Sequence, residues 1–122
     1  MDTMGTDCTI YQTANFVGKK WTLVILLELY RGKLKKKRYS VLKNNIPEIT
    51  PKLLSARLKE LEKEGLVKKE VDAKTFPIKC EYSLTKRGRD FINVIKHIKK
   101  WTLKWDIENP ACEKKDCKDC IF

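Results

Sequence analysis

The segment "ITPKLLSARLKELEKEGLVKK", Ile49 to Lys69, writes out a helix together with both of its ends. Thr50 offers a hydroxyl to an orphan N–H of the first turn, and Pro51 suits the first helical position. Gly65 stands where a C′ residue closes a helix that ends near Glu64. Between these signals Leu54, Leu58 and Leu61 recur at i, i+4 and i+7, which makes one buried stripe. At about 100° per residue the opposite face carries Lys52, Ala56, Lys59 and Lys63, flanked by Ser55 and Glu60.

Working outward, "YSVLKNN" is long enough for two helical turns before the proline of "NIPEI" interrupts it. Two helices joined by a short turn, with a basic outer face on the second, form a helix-turn-helix. Further upstream the stretch from Thr9 to Tyr30 reads as helical, divided by Gly18. Its second part carries Trp21, Leu23, Val24, Ile25, Leu27 and Leu29, a surface broad enough to be the centre of a core. The basic run "KLKKKR", Lys33 to Arg38, reads as a loop or an exposed helix start.

Downstream, "LVKKEV" and "KCEYSL" are β-prone runs that predict a hairpin. Cys80, Tyr82 and Leu84 share its covered face, and Lys79, Glu81 and Ser83 share the wet one. The stretch "TKRGRDFINVIKHIKKWTLKWDI" predicts a long helix capped by Thr85, with Phe91, Val94 or Ile95, Ile98, Trp101 or Thr102, and Trp105 at helical spacing. That is more apolar length than one small core covers, so a dimer interface is expected. The fold class is therefore α+β, mainly α: a winged helix-turn-helix with a two-stranded β-hairpin wing and N- and C-terminal dimerisation helices. Residues 1–106 form the domain and residues 107–122 a cysteine-containing tail.

Composition narrows the partners. The chain has 122 residues, room for one ordinary domain, and 27 Lys plus Arg against 16 Asp plus Glu give a net charge of +11. Such an excess points to a polyanion, nucleic acid first. No apolar run approaches the roughly 18 to 20 residues of a membrane span, and the polar start "MDTMGTDCTI" shows no signal peptide. A cytoplasmic location is expected, where five cysteines are unlikely to form a disulfide framework. One histidine, His97, on a helix surface, five glycines and no nucleophile elbow leave no active-site assembly, so no enzyme is expected.

Four segments in order, "GKKWTLVIL" from Gly18, "RYSVL" from Arg38, the Ile49 segment and "FPIKCEYSLTKRG" from Phe76, carry a family resemblance. The chain resembles the HxlR-type transcriptional regulators, relatives of the MarR group, from about Cys8 to Trp105. The resemblance implies a homodimer that binds double-stranded DNA at a palindromic operator, the second helix of the motif in the major groove and the wing beside the minor groove. On the helix, Thr50, Lys52, Ser55, Ala56, Arg57 and Lys59 are the candidate contacts, with Arg57 nearer the buried flank and so facing either a phosphate or a carboxylate. Arg38, Tyr39 and Ser40 stand where the first helix of the motif meets DNA, and Lys74, Thr75 and Lys79 are wing contacts to the backbone. Two departures from the family pattern stand out. The connection between Gly32 and Arg38 is longer by about three residues, and Val41 replaces a common acidic residue.

The cysteines leave several readings open. Cys8 lies where many HxlR-type proteins carry a cysteine, and in redox-sensing members that thiol is the one modified. At a helix start its thiolate would be favoured; otherwise it is an unreactive, half-buried thiol. Cys80 falls on the covered face of its strand. The tail spacing Cys112-x4-Cys117-x2-Cys120 supplies three soft ligands, and Cys8 would be the fourth if the chain termini meet. Zinc or an iron–sulfur cluster, a thiol–disulfide switch and an inert disordered tail all fit. The competing function is a small metal or redox protein that uses the winged domain as an interaction scaffold without binding DNA.

Overall fold

The computed structural model describes residues 5–74, 76–105 and 110–119. Two helices open the chain, α1 (Thr9–Val17) and α2 (Lys20–Tyr30), parted at Gly18. A two-residue strand, β1 (Lys37–Arg38), leads into α3 (Tyr39–Asn45) and α4 (Pro51–Lys63). The strands β2 (Val67–Asp72) and β3 (Lys79–Leu84) form the hairpin, followed by the long α5 (Lys86–Trp105), the short α6 (Pro110–Lys114) and a 3-10 turn at Cys117–Asp119.

The ends of α4 are those its sequence calls for. The Thr50 hydroxyl accepts the Leu53 N–H at 3.2 Å. At the other end Gly65 takes φ +78°, the left-handed conformation that favours glycine. Its N–H donates to the Glu62 carbonyl and that of Leu66 to the Leu61 carbonyl, so a Schellman closure satisfies the last turn. Leu54, Leu58 and Leu61 pack with Ile25 and Leu26 of α2, Leu42 of α3 and Ile92 of α5 in a single core. Without alternating polar positions to expose, α2 is surrounded, as its broad apolar surface requires.

The start of α5 is fastened to the end of α4. Thr85 donates its hydroxyl to the Gly65 carbonyl at 2.6 Å and accepts the Gly88 N–H at 3.1 Å, an N-cap bonded in both directions. Gly88 is held there by contact, because a Cβ on it would stand 2.1 Å from the Leu66 carbonyl oxygen.

The sheet has three strands in the order β1-β3-β2, all antiparallel. The hairpin wing forms as expected, and β1 adds a strand that the two-stranded reading left out. Two expectations change with it. Lys37, in the run read as loop or exposed helix start, pairs opposite Tyr82 and is 6% exposed. Ser83, assigned to the wet face of the hairpin, is buried, and Glu81 is half-buried, because β3 is the central strand. The side of β3 that carries Ser83 adjoins the long connection Gly32–Lys36.

The described part of the tail lies against the domain. Asp116 accepts hydrogen bonds from the Tyr30 hydroxyl at 3.2 Å and Lys96 Nζ at 2.9 Å, and the Gly32 N–H donates to the Lys118 carbonyl at 2.8 Å. No described helix is long and apolar enough to cross a membrane.

Candidate nucleic-acid interface

Because the leucine stripe of α4 is sealed in the core, its other side faces outward by geometry alone. Lys52, Ser55, Ala56, Lys59 and Lys63, spaced i, i+3, i+4, i+7 and i+11, are all exposed and form one stripe along the helix. Lys52 and Lys59 take part in no ion pair among the described residues. Ala56, between them, leaves a low point where a groove edge can approach. Exposed Thr50 begins the helix, whose first N–H groups suit an anion.

Arg57 is placed differently from its neighbours. It is half-buried and donates to Glu60 Oε1 at 3.0 Å, so of its two expected partners the structure supplies the carboxylate. Lys19, just before α2, donates to the same oxygen at 2.8 Å. The Lys19 hydrogen bond holds the Glu60 carboxyl below its usual range against partial burial, with Arg57 adding to the effect. Both partners thus neutralise the acidic residue beside the stripe.

Tyr39 is half-buried at the start of α3 and donates to the Pro51 carbonyl at 2.9 Å. Ser55 turns its hydroxyl back to the Tyr39 oxygen at 3.4 Å. The two expected contacts therefore fix the angle between α3 and α4. Arg38 and Ser40, on either side of Tyr39, are exposed. In the wing Lys74 is exposed and Lys79, at the start of β3, is half-buried; the Lys74 N–H bonds Asp72 Oδ1 at 3.0 Å, and Thr75 lies outside the described residues.

Sequence reasoning passed over the group that sets this frame. Glu28, the lone acidic residue in "LVILLELY", is 6% exposed. Its carboxylate accepts from Arg31 Nε at 2.9 Å, Asn45 Nδ2 at 2.6 Å and Lys37 Nζ at 3.2 Å. Lys37 also donates to the carbonyls of Glu28 and Arg31. Burial alone would push the Glu28 carboxyl up, but Arg31, Asn45 and Lys37 together outweigh it and hold the group below the usual range. One carboxylate thereby joins α2, β1 and the end of α3. A solitary charge inside an apolar helical run was the available signal, since such a group is buried only with partners. At the wing tip Phe76 and Ile78 are exposed, beside the polar residues Lys74, Thr75 and Lys79 that the sequence singled out.

The cysteines stand apart from this surface. Cys8 occupies the N-cap position of α1 and is a half-buried thiol, while Cys80 packs at the edge of the core. Cys112 lies in α6 and Cys117 opens the 3-10 turn, both half-buried. Cys120 lies outside the described residues. Among the described residues no three His, Cys, Asp or Glu side chains form a group able to hold a metal.

The model of the HxlR-like helix-turn-helix family matches residues 16–109. The chain belongs to the HxlR-like helix-turn-helix family. It is 39% identical over 98 residues to the HTH-type transcriptional regulator YdeP of Bacillus subtilis, covering 80% of this chain and 73% of that one. Its fold is similar to that of a MarR-family transcriptional regulator from Porphyromonas gingivalis, with TM-score 0.75, 31% identity and 88% and 100% of the two chains covered. It is similar also to the redox regulator HypR in its oxidised form, with TM-score 0.68, 32% identity and 80% and 96% covered. An HxlR-like chain of this kind is a transcriptional regulator built on a helix-turn-helix, not an enzyme.

Proposed function

We propose that this chain is a homodimeric, sequence-specific DNA-binding regulator that reads a palindromic operator with α4 in the major groove and the β2–β3 wing beside the minor groove. The observation that carries this reading is the exposed stripe Lys52, Ser55, Ala56 and Lys59 on a helix whose other face is buried. Phosphate contacts from Arg38, Ser40, Lys74 and Lys79 orient the protein, and the stripe of α4 supplies the base contacts. Dimerisation is supported by two helices. No residue of α1 is buried, and α5 leaves Val94, Ile98, Trp101 and Trp105 uncovered. Two copies would engage half-sites about one helical turn apart.

Fluorescence anisotropy on the duplex upstream of the coding region, repeated across a salt series, tests the proposal. Saturable binding that weakens steeply with salt is expected. Absence of binding to any duplex by folded, dimeric protein would hand the reading to the scaffold alternative.

A thiol response is the regulatory reading favoured for this chain. Cys8 stands at the N-cap position of α1, and HypR, to which the fold is similar, is named a redox regulator. Treatment with diamide should change operator affinity in the wild type and leave Cys8→Ser unchanged. Zinc or an iron–sulfur cluster on Cys112, Cys117 and Cys120, with Cys8, is checked by metal and sulfide analysis of anaerobically purified protein. Protein free of both metal and sulfide sinks it.

A further inference from the structure

The long connection Gly32–Lys36 and the end of β3 line a cavity of about 370 Å³ that the DNA-binding reading does not use. Leu29, Leu34 and Leu84 give it apolar walls. Around them stand Lys33, Lys35, Lys36, Lys68, Arg89 and Lys118, and no described carboxylate lines it. Lys36 and Lys68 meet Glu70, and Arg89 donates to the Leu84 carbonyl. Lys33 and Lys35 have no ion pair among the described residues.

Ser83 also lines the cavity, and its buried hydroxyl has no hydrogen-bond partner among the described residues. That oxygen is closed to solvent, so Ser83 lines the cavity without offering its hydroxyl to a ligand. The walls come from α2, β2, β3, α5, the connection and the tail. The bond from the Gly32 N–H to the Lys118 carbonyl holds two of these together.

The geometry points to a binding site for a small organic anion with an apolar body, such as an aryl or alkyl carboxylate. Its hydrocarbon part packs on Leu29, Leu34 and Leu84, and its carboxylate meets Lys33 and Lys35. The volume is in the range of ligand pockets, and the lining sets apolar walls beside cations that can fix the orientation of an anion. An inorganic anion would leave the leucine walls unfilled, and a neutral hydrocarbon would desolvate the lysines without return. The site stands whether or not the chain binds DNA.

Titration of the full ¹⁵N-labelled chain with 2-naphthoate, with 2-naphthalenemethanol and inorganic phosphate in parallel, tests the site. Naphthoate should shift the amides of Gly32, Ser83 and Leu84 and bind roughly tenfold tighter than either control, the factor a charge-assisted hydrogen bond supplies. Leu34→Asp and the pair Lys33→Glu with Lys35→Glu, all at exposed positions, should each lower naphthoate affinity by a similar factor. Four outcomes overturn the proposal. Naphthoate fails to bind; phosphate or the alcohol binds as tightly; the shifts centre on Trp101 and Trp105; or Leu34→Asp leaves the affinity unchanged.

Discussion

Two amphipathic helices, α4 and α5, end differently in the same small protein. On α4 every apolar position of the stripe is covered, and what faces out is polar and cationic. On α5 the first half behaves alike, with Ile92 and Ile95 buried, but further along Ile98, Trp101 and Trp105 stand 41%, 60% and 67% exposed. A sealed helix with a basic outer face suits a polyanion. A helix with uncovered tryptophans suits a second protein surface. In the function proposed above, the contrast separates the surface offered to DNA from the one offered to a second copy.

The largest effect expected comes from the buried anchor of the α4 side. Glu28→Gln leaves Lys37 buried without its counter-charge and should cost about 3–5 kcal/mol in urea unfolding. In the wild type the same group is one contributor to the acid limb of stability, beside Glu60 and Asp116. The folded Glu28 carboxyl lies below its ordinary value of 4.5, so its contribution is complete above that pH and is lost as pH falls through the lowered value. Urea midpoints from pH 7 downward should show that decline, and Glu28→Gln should flatten it in part.

A matched pair of truncations sharpens the comparison next. Leu58→Ala, in the sealed stripe, should cost about 2–5 kcal/mol, whereas Ile98→Ala should cost less than about 1 kcal/mol of fold stability and weaken self-association instead. Equal losses of fold stability would erase the distinction between the helices.

Surface charge comes third. Lys52→Glu with Lys59→Glu should lower operator affinity on the order of 100-fold while sedimentation stays that of the dimer. Ile98→Asp with Trp101→Asp should do the reverse at the first step, giving monomers whose α4 remains folded by circular dichroism.

The smallest effect belongs to the tail. Asp116→Asn weakens the pairing with Lys96 and should cost less than about 1 kcal/mol, since both groups are partly solvated. Hydrogen exchange at the Gly32 amide reads it directly: faster exchange is expected, because that amide donates to Lys118. Unchanged exchange would mean that Asp116 does not hold the tail down.

Much of the fold was legible because its signals are local. Thr50, Gly65 and Thr85 close helix ends through bonds to residues a few positions away, Pro51 fits the first helical position, and the leucines of α4 declare their face by spacing. The exposed stripe of α4 followed from the buried one. Lys37 was misread because a lysine in "KLKKKR" looks like its neighbours, and only a chain reversal brings it to Glu28. Ser83 was misread because two strands imply a wet face, whereas the added strand β1 makes β3 central. Arg57 could be narrowed to two partners, and the one it takes is Glu60, three residues on along the same helix.

The amino-acid sequence by itself determined the helices α1 to α5, the hairpin, the basic outward face of α4 and the family, since each depends on periodicity, capping or a run of residue types. Tertiary structure alone decided which charges are buried, which hydroxyl goes unpaired and that the tail returns to Tyr30 and Lys96. Those outcomes depend on partners distant in the chain, and a buried charge or hydroxyl is defined only by what stands around it.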